Sequence, residues 1–204
     1  MKNAEKELAE IKSMMERSTR FLSLSGLSGV LAGIYALLGA TLAYYWIYFP
    51  NPPYGFDHTP DINENTFINL TIASFVVLGL SIGTAWLLSQ KKSRRISQKI
   101  WTPSGKRFIL SLFTPVLVGG LFCFALIYHG YYLLIVPATL IFYGIALVNS
   151  SQFTLSDIKY LGFCQILLGI ISAFIPGYGL IIWALGFGVM HIFYGTLMHL
   201  KYDR

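Results

Sequence analysis

The sequence predicts an all-helical polytopic membrane protein with six transmembrane helices and both termini cytoplasmic. Two observations carry that expectation. The first is six long uncharged segments in a chain that is 55% hydrophobic and only 12% charged, against about 25% charged residues in a soluble domain. The second is the placement of the cations. Every Lys and Arg falls in the N-terminal tail, after the second segment, after the fourth, or at the C-terminal end. Basic residues mark the cytoplasmic side of a membrane, and an even count of spans keeps all of them there.

The segments run over 21–49, 66–90, 108–128, 131–149, 160–176 and 179–200. Each is near the ~20 residues a helix needs to cross hydrocarbon. Helices are expected because lipid cannot satisfy open backbone groups, and the short alternating strands of a barrel are not seen. Residues 1–20 precede the first span. Ala4, Leu8, Ile11, Met15 and Leu22 form one apolar stripe, with acids early and Lys12, Arg17 and Arg20 late. That pattern predicts a peripheral amphipathic cytoplasmic helix over 1–20, followed by a single transmembrane domain over 21–204. Four glutamates ahead of Phe21 and no small-residue cleavage site after it predict an uncleaved anchor rather than a signal peptide.

The first span, "SGLSGVLAGIYALLGA", carries small residues at fixed spacing. Gly29 and Gly33 are four apart, with Ser28, Ala32 and Ala36 in the next row. Such faces let helices approach closely where lipid offers little hydrophobic drive. Gly79 and Gly83 repeat the spacing on the second span. All four glycines are therefore expected to serve helix packing. The outer boundary is marked by Tyr44, Tyr45, Trp46, Tyr48, Tyr128, Tyr131, Tyr132 and Tyr178, as amphipathic rings prefer the interface. The loop 51–65 holds Asp57, His58, Asp61, Asn63 and Glu64, with His129 on a neighbouring turn. Its spacing matches no metal-ligand rule, so it reads as a solvated acidic loop. No metal or cofactor is expected.

The inner loop 91–107 holds Lys91, Lys92, Arg94, Arg95 and Lys99, with Ile96, Ile100 and Trp101 among them. These basic residues are expected to attract anionic lipid of the inner leaflet, each adding about 1 kcal/mol near the surface. Nucleic-acid binding would require the same charges away from the membrane beside aromatic platforms, and is not expected. A weak repeat links "GYYLL" (130–134) and "IFYG" (141–144) with "GYGLI" (177–181) and "IFYG" (192–195). It predicts two related hairpins, the third span with the fourth and the fifth with the sixth.

Polar residues inside the spans are the candidate functional groups. Gln165 and His191 should lie at matched depth on adjacent spans, with Tyr143, Tyr194, Thr114 and Ser28 in the same inner half. They are expected to form either an interhelical hydrogen-bonded layer or a solute pocket. No Asp or Glu lies in any span, which argues against proton- or sodium-driven transport. The run Gly26-Leu27-Ser28-Gly29 also resembles the nucleophile segment of the rhomboid intramembrane proteases, whose serine sits in a Gly-x-Ser-Gly context. The resemblance covers about a dozen residues and would pair Ser28 as nucleophile with His191 as base. It departs from that family in placing the serine on the first span, in the inner half. The small-residue face explains Ser28 without catalysis.

Three functions follow, in order. The first is a non-enzymatic membrane module that binds lipid, a protein partner or a second copy of itself. The second is a small-solute permease or channel built on the polar layer. The third is an intramembrane serine hydrolase. A bacterial inner membrane is the expected location.

Overall fold

The computed structural model describes residues 21, 23–49, 63–95 and 101–203. The expected N-terminal helix, Asp57, His58 and Asp61 of the acidic loop, and Ile96, Lys99 and Ile100 of the basic loop lie outside the described residues. Within them the chain is helical, with no strand. The helices are α1 (Gly26–Tyr48), α2 (Glu64–Arg95), α3 (Pro103–Tyr128), α4 (Ile135–Ser150), α5 (Ile158–Phe174) and α6 (Gly179–Tyr202). Short 3-10 turns extend α4 at both ends, and the resulting apolar run spans Tyr132–Phe153. Five helices are long and apolar enough to cross a membrane; α5, at 17 residues, is the shorter apolar one.

Helix boundaries follow local chemistry. Phe21 and Ser23 to Ser25 stay non-helical. The Phe21 N–H donates to Phe153 O (2.7 Å) and the Thr154 hydroxyl to Phe21 O (2.6 Å). That lead-in therefore pairs with the α4–α5 connection. At α2, Asn63 Oδ1 accepts from the Thr66 N–H at 2.8 Å, satisfying a first-turn donor. Glu64 opens that helix while Lys92, Arg94 and Arg95 close it, each favourable to the helix dipole. Thr102 caps α3 through Gly105, and Pro103 takes the first helical position, where a missing N–H costs nothing.

The helices alternate in direction, so their ends gather into two rims. One is basic. Phe21 stacks on Phe108 of α3 (5.2 Å), Asp203 meets Lys92 at the end of α2, and Asp157 meets Lys201 near the end of α6. The other is aromatic, with Phe67 of α2 against Tyr132 before α4. Laterally, α1 lies between α2 and α6, and α4 lies between α3 and α5. The two trios meet mainly where the first half of α6 touches α4 and α5.

The packing order corrects the expected pair of equivalent hairpins. α3 does lie along α4, but α6 lies along α1 rather than along α5. The glycines decide this. Gly144 of the first IFYG faces Gly162 and Ile166 of α5, whereas Gly195 of the second faces Gly26 and Val30 of α1. Both contacts share one geometry, in which a glycine rides over a backbone carbonyl and a β-branched residue four positions on. Gly33 does the same over Gly188 and Ile192. Close backbone approach of this kind is the packing mode small residues permit in lipid.

Candidate functional site

Of the six polar positions expected in one inner-half layer, the structure brings three together. Gln165 from α5 is fully buried, His191 from α6 is 7% exposed, and Tyr143 comes from α4. Gln165 and His191 converge on one backbone atom, the carbonyl oxygen of Gly186, and Tyr143 joins them through His191. The Gln165 Nε2 group donates to it at 2.7 Å and His191 Nδ1 lies 3.0 Å away. A carbonyl only accepts, so Nδ1 must carry the imidazole proton. In the neutral ring Nε2 is then the acceptor, and the Tyr143 hydroxyl, 2.8 Å away, donates to it. The chain Tyr143 O–H to His191 to Gly186 thus selects the Nδ1–H tautomer of the neutral imidazole. With Nδ1 protonated, the 3.5 Å approach of Gln165 Nε2 to Nδ1 joins two donors. It is no hydrogen bond, and Gln165 and His191 are linked through a shared acceptor instead.

The local backbone explains why this carbonyl is available. Ala184–Met190 is π-helical, flanked by α-helix on both sides. The Gly186-Phe187-Gly188 run sits inside it. A Cβ at Gly186 would lie 2.7 Å from both Gln165 Oε1 and Leu140 Cδ2, and one at Gly188 would run into Leu37 of α1. Glycine at both positions lets α4, α5 and α1 press onto this turn. Phe187 completes the site, its ring 5.1 Å from Tyr143 and 5.8 Å from His191. π turns of this kind recur at functional sites.

Two buried atoms here have no partner among the described residues, Gln165 Oε1 and Ser172 Oγ. Flipping the Gln165 amide would not help, because it would aim Oε1 at the Gly186 carbonyl. Both residues lie on α5, and each faces a glycine of α6. Gln165 meets Gly186, and Ser172 lies near Gly179. The α5–α6 seam therefore holds two unpaid polar groups, each of which costs about 1–3 kcal/mol when buried.

The remaining expected members lie elsewhere. Ser28 is buried, but its hydroxyl donates to Ser25 O at 2.6 Å on its own helix. Neither ring nitrogen of His191 faces it. Thr114 is exposed and bonds Leu110 O. Tyr194 packs closer to the basic rim, against the cluster of Leu147, Leu155, Ile158, Leu161 and Met198. Helical depth alone placed these residues in the layer; Thr114 is turned outward and Tyr194 lies nearer the basic rim. Gly29 and Gly33 do pack closely, against Gly195 and against Gly188 with Ile192. Among the described residues, no atom lies within 4 Å of where a Cβ of Gly79 or Gly83 would stand.

The basic rim holds a second cluster that sequence reasoning missed. The Asp203 carboxylate, 8% exposed, gathers four donors. Lys92 Nζ reaches Oδ1 at 2.6 Å; the Gly26 N–H (2.9 Å), the Ser25 hydroxyl (3.1 Å) and His199 Nδ1 (3.1 Å) reach Oδ2. Lys92 also donates to Leu24 O at 2.8 Å. Burial alone disfavours the Asp203 charge, yet the hydrogen bonds from Lys92 and His199, with the Lys92 charge and the Gly26 N–H, outweigh it and hold the carboxyl below its ordinary range. Nearby, Asp157 accepts from Lys201 (2.7 Å) and from the Tyr202 hydroxyl (2.9 Å). The Lys201 hydrogen bond is the main cause that holds Asp157 low as well. Lys92, expected to be free for lipid, is thus committed to Asp203. Lys91, Arg94 and Arg95 remain exposed. The available signal was that Asp157 and Asp203 are the only acids after residue 64, each set among cations.

Comparison with known protein families, curated proteins and solved structures finds no match for this chain.

Proposed function

We propose that this chain is a six-span, non-enzymatic membrane module with both termini on the cytoplasmic face of a bacterial inner membrane, where its basic rim engages anionic lipid. The observation that supports it is where polar chemistry is spent and where it is left over. His191 has both ring nitrogens engaged, the Gln165 amide nitrogen is bonded, and the Ser28 hydroxyl serves its own helix. A hydrolase needs its serine on its base and donors aimed at the developing oxyanion; Ser28 and His191 point their polar atoms at other partners. At the basic rim, by contrast, Lys91, Arg94 and Arg95 stand exposed at the end of a long helix. There, cations meet headgroups.

The test is lipid composition. Purified from mixed phosphatidylglycerol and phosphatidylcholine, the native chain should carry an excess of phosphatidylglycerol in native mass spectra. Replacing Lys91, Arg94 and Arg95 together by Gln should abolish that excess; identical lipid profiles would refute the reading. Orientation is tested separately, with Arg95→Cys in a background lacking Cys123 and Cys164. Reaction of that cysteine with an impermeant maleimide on sealed cells would overturn it.

One observation favours permeation as a second reading. The unpartnered Gln165 Oε1 and Ser172 Oγ lie along the seam between the two helix trios, beside the π turn of α6. Interrupted helices at such interfaces form substrate sites in secondary transporters.

A further inference from the structure

The cluster around Asp203 has the composition of an anion site. Its donors come from three helices. They are the first N–H of α1 (Gly26), the hydroxyl just before it (Ser25), the ammonium of Lys92 on α2, and the ring of His199 on α6. A helix start, a lysine, a hydroxyl and a ring N–H converging on one point form a standard way to hold a phosphate or carboxylate. The anion seated there is the chain's own. Asp203 stands one residue past the end of α6, so it can leave without unwinding that helix. Lys92, at 14% exposure, sits beside exposed Lys91, Arg94 and Arg95, which would deliver a second anion to the same place.

We propose that Ser25, Gly26, Lys92 and His199 form a binding site for a phosphate oxyanion, and that Asp203 occupies it as an internal competitor. Phosphate at the site displaces the carboxylate and frees Asp203 from α1 and α2. The phosphate has two possible sources with the same chemistry, the headgroup of an anionic phospholipid and free inorganic phosphate. The lipid source rests on the proposed engagement of anionic lipid; the site itself does not.

The experiment uses the full chain in nanodiscs and reads two quantities. The first is removal of C-terminal residues by carboxypeptidase. Cleavage should be slow in phosphatidylcholine alone and faster in phosphatidylglycerol, in millimolar inorganic phosphate, or in both. Acceleration by lipid only assigns the headgroup; acceleration by inorganic phosphate only assigns the free ion, leaves the site standing and rules out the headgroup as its occupant. Cleavage that neither source changes overturns the site. The second readout is affinity for the effective source in Asp203→Asn, which removes the competing charge while keeping the side-chain shape. A site filled about nine-tenths of the time by its own carboxylate should bind about tenfold more tightly once that competitor is gone. Adding Lys92→Gln to that variant should abolish the gain. Unchanged affinity in Asp203→Asn, or a gain that survives Lys92→Gln, refutes the assignment. Loss of phosphatidylglycerol enrichment in the Lys91, Arg94 and Arg95 variant, with no gain in Asp203→Asn, would preserve the lipid reading and sink only this site.

Discussion

Two glycine positions, one close-packed and one open, give opposite predictions for the same substitution. At Gly195 a Cβ would stand 2.5 Å from the Val30 nitrogen, 2.8 Å from Gly26 O and 2.9 Å from Gly29 C. All three are backbone atoms of α1, which cannot swing aside as a side chain can. Ordinary contact begins near 3.4 Å, so Gly195→Ala must push α1 and α6 apart by up to 0.9 Å, the difference between 3.4 and 2.5. A gap of that size forfeits a quarter to a half of each atom-pair attraction, itself ~0.15 kcal/mol. If ~40 pairs lie along the crossing, the number one buried leucine makes, the loss is about 1.5–3 kcal/mol. That agrees with the usual penalty for overpacking. At Gly79 nothing lies within 4 Å. There the same substitution only restrains the unfolded chain and should be neutral or stabilise by up to ~1 kcal/mol. Thermal and denaturant melts of both variants in one detergent, followed by tryptophan fluorescence, give the comparison. Equal losses at Gly79 and Gly195, or a harmless Gly195→Ala, would refute the close α1–α6 crossing.

The polar groups give three further tests. Tyr143→Phe deletes the donor to His191 Nε2 and leaves a buried ring nitrogen unpaired. It should cost about 1–3 kcal/mol in the same melts; no loss would mean that nitrogen has another partner. Ser172→Ala removes an orphaned buried hydroxyl, so a dry seam predicts a gain in stability of about 1 kcal/mol. A loss instead would mean the hydroxyl has a partner in the membrane, and would favour permeation. The third test is pH. Asp203 and Asp157 are both held below their ordinary range, so each contributes stability that is present above the unfolded carboxylate value near 4 and lost as pH falls through the folded one. The melting temperature should hold level down to about pH 5, then fall as the solution is acidified further. Asp203→Asn should flatten part of that fall; an unchanged acid limb would show that the Lys92 clasp does not form.

The helices were legible in the sequence because hydrocarbon imposes a single requirement, a long uncharged run. Five apolar runs and the shorter α5 appear where the pattern places them. The ends were less legible. Phe21 read as membrane span, yet its backbone pairs with the α4–α5 connection, while Leu24 and Ser25 bond to Lys92 and Asp203 at the basic rim. Packing order was not legible at all. The IFYG echo reports similar composition, yet Gly144 and Gly195 choose different partners. Which helix a glycine faces depends on the whole bundle.

The polar site divides along the same line. Depth is one-dimensional and can be counted from the chain. Counting set all six at similar depth; the structure gathers Gln165, His191 and Tyr143 around one another and gives Thr114, Ser28 and Tyr194 other neighbours. Direction around a helix needs the 100° advance per residue to hold, and in α6 it does not. The π turn over Ala184–Met190 adds an extra residue to the repeat, so every position after it is rotated relative to a regular helix. That rotation governs His191, the first residue beyond the turn. It sets the ring between Tyr143 and the Gly186 carbonyl and directs its nitrogens away from Ser28. Nothing in the sequence pattern singled out Gly186 and Gly188, which let α4, α5 and α1 approach closely. Their second effect, changing which face of α6 carries the histidine, became apparent only when α4, α5 and α1 were in place around them.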